Sequence, residues 1–202
     1  WYMVKSGLTE RTDVSHYRLA LHLTLAFIIF IFLLWNFLKY KKQQILNYDK
    51  KLSNYLIFIF TLLLLVQICI GAFVSGLDAG KIYQTWPLMN QAYFPDDSLI
   101  KDLFSLKAFE IPSVIQFIHR NIAYLIILFF IYISFIVYRN SDLRHFRKNI
   151  ILIFIILSIQ IILGILTVLS GAEILLASLH QVGSIFLITS SIILVYKNSR
   201  IS

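Results

Sequence analysis

Residues Ile150–Tyr196 read IILIFIILSIQIILGILTVLSGAEILLASLHQVGSIFLITSSIILVY, which is two long apolar runs separated by a short polar turn. Each run has about the twenty residues that an α-helix needs to cross the hydrocarbon of a bilayer. The turn near Gly171 to Glu173 is very tight, so we expect the two helices to pack as a hairpin. The apolar residues are continuous rather than alternating, which argues against a membrane β-barrel. This stretch therefore predicts an all-α membrane protein.

The same pattern recurs upstream and gives five predicted spans in all. The chain is 59% hydrophobic and 14% charged with a mean hydropathy of +0.80, more apolar material than a soluble core of 202 residues needs. We expect the last four spans to form an up-down four-helix bundle. The predicted spans are Leu19–Leu38, Leu56–Gly76, Pro112–Val137, Ile150–Ser170 and Ile174–Tyr196.

Basic residues are concentrated on one side of these spans. Eleven lysines and arginines, opposed by two aspartates, lie in the segments 39–55 and 138–149 and in the C-terminal tail. Because positive loops stay on the cytoplasmic or matrix side, we predict an outer N-terminus and an inner C-terminus. The net charge of +8 then reports topology, and no nucleic-acid partner is expected.

Three histidines mark the outer halves of the odd-numbered spans. His22, His119 and His180 each lie one to two turns inside an apolar segment, and alternate spans run parallel, so their imidazoles should share one depth. Imidazole within a bilayer is costly and usually functional. Its commonest use in a helix bundle is to bind a metal or haem iron.

Two of these histidines are expected to share one iron. The helices of His119 and His180 are diagonal in the predicted bundle, so a haem can lie between them with both imidazoles as axial ligands. Gly183, one turn from His180, would open space for the porphyrin, and Arg120 would pair with a propionate. Zinc would require three or four ligands, and only two imidazoles are found here. The alternative is that each histidine is simply interfacial.

Other polar residues allow more than one interpretation. Spans two and four each contain a Q-x-x-x-G pair, Gln67–Gly71 and Gln160–Gly164, which we interpret as helix–helix hydrogen bonding beside a close-approach site for backbone or a flat cofactor. Asp78 either anchors the outer loop or accepts protons. Trp86 belongs either to an interfacial belt or to a substrate contact.

Cys69 is the single cysteine, so intramolecular disulfides and cysteine-based metal sites are excluded.

The first helix has no partner helices within this sequence. The chain begins with Trp1 on the outer side, and an odd number of spans leaves the His22 helix without a counterpart. We expect residues 1–55 to be a polar outer segment followed by the last helix of an N-terminal bundle whose other helices precede this sequence. Residues 56–202 would be a second, haem-binding bundle. A processed or separately encoded piece is the alternative.

Four segments resemble haem A synthase, and together they cover nearly the whole chain. They are YRLALHLTLA (Tyr17–Ala26), QICIGAFVSGLDAGKIYQTWPLMN (Gln67–Asn90), VIQFIHRNIAYL (Val114–Leu125) and QIILGILTVLSGAEILLASLHQVG (Gln160–Gly183).

This resemblance implies an eight-span oxidoreductase that converts the C8 methyl of haem O to a formyl group, giving haem A for cytochrome oxidase biogenesis. It implies that haem b iron is held by His119 and His180, and that His22 is a catalytic iron ligand at the haem O site. The fragment alone would be inactive. Implied partners are haem O, haem A, the lipid bilayer, haem O synthase and oxidase assembly factors, with homo-oligomerisation left open.

The implied location is the bacterial inner membrane, or the mitochondrial inner membrane in a eukaryote. Two other functions remain open from the residues. A small b-type cytochrome would share the paired histidines without catalysis. A non-catalytic assembly or transport subunit would use them only at the interface.

Overall fold

Five long helices make up most of the computed structural model, which describes residues 14–41 and 51–200. They are α1 (His16–Tyr40), α2 (Asn54–Gly76), α3 (Pro112–Arg139), α4 (Arg147–Leu169) and α5 (Ile174–Ser199). All five are long and apolar enough to cross a membrane. The described residues form no β-strand. The predicted all-α membrane fold and its five spans are confirmed, with helix ends within three residues of those expected.

Three parts of the sequence lie outside the described residues: residues 1–13, which are most of the predicted polar segment at the N-terminus, residues 42–50 of the connection between α1 and α2, and residues 201–202.

Helix packing follows the order α2, α3, α4, α5 and back to α2. The pairs α2–α3, α4–α5 and α2–α5 are in close contact, α3 and α4 touch more sparsely, and α1 packs against α2 and α5. This order is the one that an up-down bundle requires. The closed four-helix bundle itself, and the division at residue 55, stay predictions.

The apolar core is concentrated at one end of the helices, which we call the basic end because Lys39, Arg139 and Lys197 lie there. Fully buried side chains at this end include Val137, Phe146 and Leu194. Within a bilayer, such packing stabilises helix association through van der Waals contact rather than through exclusion of water. At the opposite end, which we call the loop end, the buried polar residues include Gln116 and Arg120, and at the basic end they include Asn149 and Asn198.

The two connections at the loop end differ in length. Residues 77–111 join α2 to α3 through three short 3₁₀ helices, Ala79–Lys81, Ile100–Phe104 and Leu106–Phe109. Between α4 and α5 there is only a tight turn, in which Gly171 adopts φ +70°, a conformation that favours glycine. The hairpin predicted for these two helices is confirmed. At the basic end, a 3₁₀ helix (Ser141–Phe146) joins α3 to α4.

Candidate paired-histidine site

His119 of α3 lies against α2, where it meets the first Q-x-x-x-G pair. The Nε2 amide nitrogen of Gln67 is 3.3 Å from the imidazole Nε2 and 3.1 Å from the backbone oxygen of His119. A Cβ added at Gly71 would lie 3.2 Å from Cε1 of the same ring. The hydrogen bonding across helices that we predicted for Gln67 is confirmed, and Gly71 is where the ring approaches the α2 backbone.

His180 of α5 meets the second pair in a related way. A Cβ at Gly164 of α4 would lie 3.1 Å from Cε1 of the His180 ring, which also faces the backbone of Gln160. The Gln160 side chain, however, lies over Gly183, where its Nε2 is 1.8 Å from the position of a hypothetical Cβ. The space at Gly183 that we assigned to a porphyrin is therefore filled here by the Gln160 amide, and the role of Gly183 stays a prediction.

The two imidazoles lie near one another in the interior of the protein. His119 and His180 are close enough for the charge of one to act on the other. In both rings Nδ1 is buried and has no hydrogen-bond partner, and the same holds for Oε1 of Gln67 and Nε2 of Gln160. Buried polar atoms usually have partners, so a cluster of orphaned ones indicates a missing ligand. Two imidazoles beside two glycines fit a flat cofactor whose iron takes two protein ligands.

The donor set does not resemble an ordinary metal site. Across residues 14–41 and 51–200, no three histidine, cysteine, aspartate or glutamate side chains come together to hold a metal ion. Two imidazoles are enough for haem, because the porphyrin supplies the remaining iron ligands.

Arg120 is buried at the loop end and donates to the outer loop. Its Nη2 is 2.9 Å from the backbone oxygen of Tyr83, and its Nη1 is 3.3 Å from that of Leu88. Nε of Arg120 is buried without a partner. Arg120 thus anchors the loop and keeps one donor unused, while its predicted pairing with a propionate stays untested.

Further contacts hold the outer loop on α3, and sequence reasoning missed most of them. Gln116 donates to the same Tyr83 oxygen at 3.0 Å, and Trp86 Nε1 donates to the Tyr124 hydroxyl at 3.1 Å. The Tyr83 hydroxyl donates to Asp96. Burial, together with this hydrogen bond, raises the pKa of Tyr83 to about 12. The available signal was the spacing of Gln116, Arg120 and Tyr124 on one face of α3.

Asp78, for which two roles were open, pairs with Lys81 at 2.7 Å in an exposed salt bridge. The structure therefore gives it an anchoring contact at the start of the loop.

His22 lies apart from the other two histidines. Its side chain is exposed on α1. Four residues further along α1, Ala26 lines a groove of about 510 Å³ between α1 and α5. The groove is lined mainly by apolar residues, and its volume is in the range of small-molecule sites. On α5 it involves Ser178 and Val182, on a different face from His180.

The fold and this site define the chain as a multi-span helical membrane protein with paired interior imidazoles. A family model described as cytochrome oxidase assembly protein matches residues 1–192. The chain belongs to this family.

Curated relatives include proteins named Heme A synthase. That of Pelagibacter ubique is 43% identical over 200 residues, which cover 99% of this chain and 58% of the relative. That of Wolbachia pipientis wMel is 40% identical over 195 residues, covering 95% and 53% respectively. That of Sinorhizobium fredii is 38% identical over 186 residues, covering 92% and 50%.

The chain thus spans about half the length of the curated relatives it matches. No solved structure matches it. The resemblance stated from sequence is confirmed, and these matches give no support to a small b-type cytochrome.

Proposed function

We propose that the protein containing this chain is a haem A synthase, which oxidises the C8 methyl of haem O to a formyl group. The proposal is supported by family membership and by relatives that carry this name. Within the chain, the single observation that carries it is the pair of neighbouring interior imidazoles that lie against Gly71 and Gly164.

In this proposal His119 and His180 would hold haem b between α3 and α5. The bound haem would supply electron transfer. The protein's own part is to present neutral imidazoles from α3 and α5 at matched depth. The loop 77–111, held by Arg120 and Gln116 through the Tyr83 carbonyl, lies against the loop end of α3.

Arg120 would complete the binding of the cofactor. Its free Nε is a buried donor of a permanently charged group, which suits a propionate oxygen. Gly183 would contribute by letting the Gln160 amide move aside without meeting a side chain on α5.

His22 is proposed as an iron ligand for haem O. What supports this is its place on α1, one turn before Ala26 in the groove against α5. The remaining contacts for haem O would come from parts of the protein beyond this chain. We further propose that the basic end faces the cytoplasm or matrix, since eleven basic residues lie on that side.

The test of haem b binding is the optical spectrum of the purified intact protein. His119→Ala and His180→Ala should each abolish a low-spin b-type spectrum, because each removes one axial ligand. His145→Ala is the matched control, since His145 lies in the 3₁₀ helix at the basic end. A low-spin spectrum that survives both ligand substitutions would refute the assignment.

The test of the reaction is pigment analysis in cells whose own haem A synthase has been deleted. Cells given the intact protein should accumulate haem A, and cells given His22→Ala should accumulate haem O. Haem A formation by the His22→Ala protein would contradict the role of His22.

A further inference from the structure

The orientation of the Gln67 amide is determined by its contact with His119. The amide end that lies 3.1 Å from the backbone oxygen of His119 must be the NH₂ group, because two oxygens would repel one another there. The same NH₂ nitrogen is 3.3 Å from the imidazole Nε2. An amide NH₂ only donates, so Nε2 of His119 must accept.

This contact fixes where the ring proton is. A neutral imidazole has one protonated nitrogen, so an accepting Nε2 places the proton on Nδ1. Nδ1 is buried and has no partner among the described residues, so no other contact competes in setting the tautomer. The resulting form has its lone pair on Nε2, as an imidazole that binds iron through Nε2 requires.

Gly71 restricts the same ring from its other side. The 3.2 Å separation between a hypothetical Gly71 Cβ and Cε1 shows that the imidazole lies directly against the α2 backbone. Gln67 and Gly71 are one helical turn apart, so together they define both the position of the ring and its tautomer.

The second Q-x-x-x-G pair, Gln160–Gly164, does not fix the tautomer of His180. Nε2 of Gln160 lies over Gly183 and is buried without a partner. The position equivalent to Gly183 on α3, three residues after the histidine, is Ile122. The glycine leaves room for the Gln160 amide on α5, whereas the corresponding position on α3 carries an isoleucine and the Gln67 amide contacts the imidazole.

We propose that Gln67 is a positioning residue that selects the iron-binding tautomer of His119 and holds its ring before the cofactor binds, and that Gln160 has no such role for His180. The inference deepens the proposed function and rests on it for the ligand role of His119. With iron bound at Nε2, the Gln67 amide would still have the His119 backbone oxygen as its acceptor. The imidazole on α3 would thus be ordered before the cofactor binds.

The experiment compares Gln67→Met with Gln160→Met in the intact protein. Methionine has a similar length and no amide, and Gln160 has the same residue type in the same motif. In the haem-free protein with ¹⁵N-labelled histidine, NMR should show His119 protonated at Nδ1. Gln67→Met should give a mixture of tautomers at His119, and Gln160→Met should leave that signal unchanged.

Haem titration gives a second readout. Loss of a group that orients a metal ligand typically weakens metal affinity about 10- to 100-fold, and we expect this range for Gln67→Met. Its low-spin electron paramagnetic resonance signal should broaden as ring orientations multiply. His145→Ala, at the basic end, should keep the wild-type signal.

The outcomes separate this inference from the proposed function. An Nε2-protonated His119 in the wild type, or equal effects of the two methionine variants, would overturn the positioning role even if haem binds. A wild-type protein that shows the Nδ1 tautomer but binds no haem would instead refute the haem b assignment.

Discussion

The helix pairs α2–α3 and α4–α5 carry the same Q-x-x-x-G motif and differ in what its glutamine contacts. In the first pair the Gln67 amide reaches the imidazole of His119. In the second, the Gln160 amide lies over Gly183 and has no partner. In both, the glycine of the motif meets the imidazole at nearly the same distance. The repeat thus preserves the place of the ring, while the hydrogen bonding of its glutamine differs.

The largest effects should follow substitution of the feature that the two pairs share. Gly71→Leu and Gly164→Leu each place a bulky side chain where an imidazole ring lies, since even a Cβ would be 3.2 or 3.1 Å from Cε1. We expect both variants to lose the low-spin haem spectrum, because close-packed rings have no free space to move into. The alanine variants should lose less. A normal spectrum in one leucine variant would show that the two rings are not held alike.

The next largest effect, on proteolysis of a loop, should be confined to the helix pair α2–α3, because the long loop 77–111 joins these two helices. Arg120→Gln removes charge-assisted hydrogen bonds that contribute about 1.5–3 kcal/mol each. If opening of the loop becomes about 2 kcal/mol easier, trypsin cleavage at Lys101 and Lys107 should be roughly 30-fold faster. Arg147→Gln, which alters an arginine bonded to Tyr138 at the basic end, is the control. Equal cleavage in both variants would contradict the anchoring role of Arg120.

A smaller effect should distinguish the two glutamines by stability alone. Gln67→Met removes cross-helix hydrogen bonds, which contribute about 0.6 kcal/mol each on average in membrane proteins. Its thermal unfolding midpoint in detergent should fall slightly. Gln160→Met removes an unpartnered buried donor and should leave the midpoint unchanged or raise it. A lower midpoint for Gln160→Met than for Gln67→Met would reverse the comparison.

The smallest effect at neutral pH is expected from Tyr83, which lies in the loop 77–111 between α2 and α3. Because burial raises its pKa from 10.0 to about 12, the folded loop favours the protonated phenol. This contribution to stability is complete below pH 10 and is lost as the pH rises from 10 towards 12. Emission of Trp86, in a variant with Trp1 and Trp35 replaced by Phe, should change over that window.

Tyr83→Phe should remove the alkaline change, and Tyr40→Phe, at the exposed basic end, should not. An identical pH curve for Tyr83→Phe and the parent would show that another group controls the loop.

The sequence predicts the helices of this protein well because each span must satisfy a length set by the bilayer. Runs such as Leu56–Gly76 end at polar residues or glycine, and the observed α2 begins only two residues earlier. The sequence also predicted that His119 and His180 share one depth, and in the structure the two lie close enough for the charge of one to act on the other.

The partners of individual polar side chains were not predictable. Periodicity does not describe the path of residues 77–111, so the carbonyl oxygens of Tyr83 and Leu88 could not be foreseen as acceptors for Arg120. The different contacts of Gln67 and Gln160, which belong to the same motif, were not predictable either. Only the three-dimensional packing reveals which residue opposes which.

The turn between α4 and α5 has a practical consequence for labelling. The long loop rests on it, since a Cβ at Gly171 would lie 2.9 Å from the Gln84 side chain and one at Gly80 would lie 3.1 Å from Ala172. An epitope tag or fluorophore inserted at this turn would therefore disrupt its contacts with the loop 77–111. Phe104, 87% exposed, is the better attachment point for experiments that ask which compartment this surface faces.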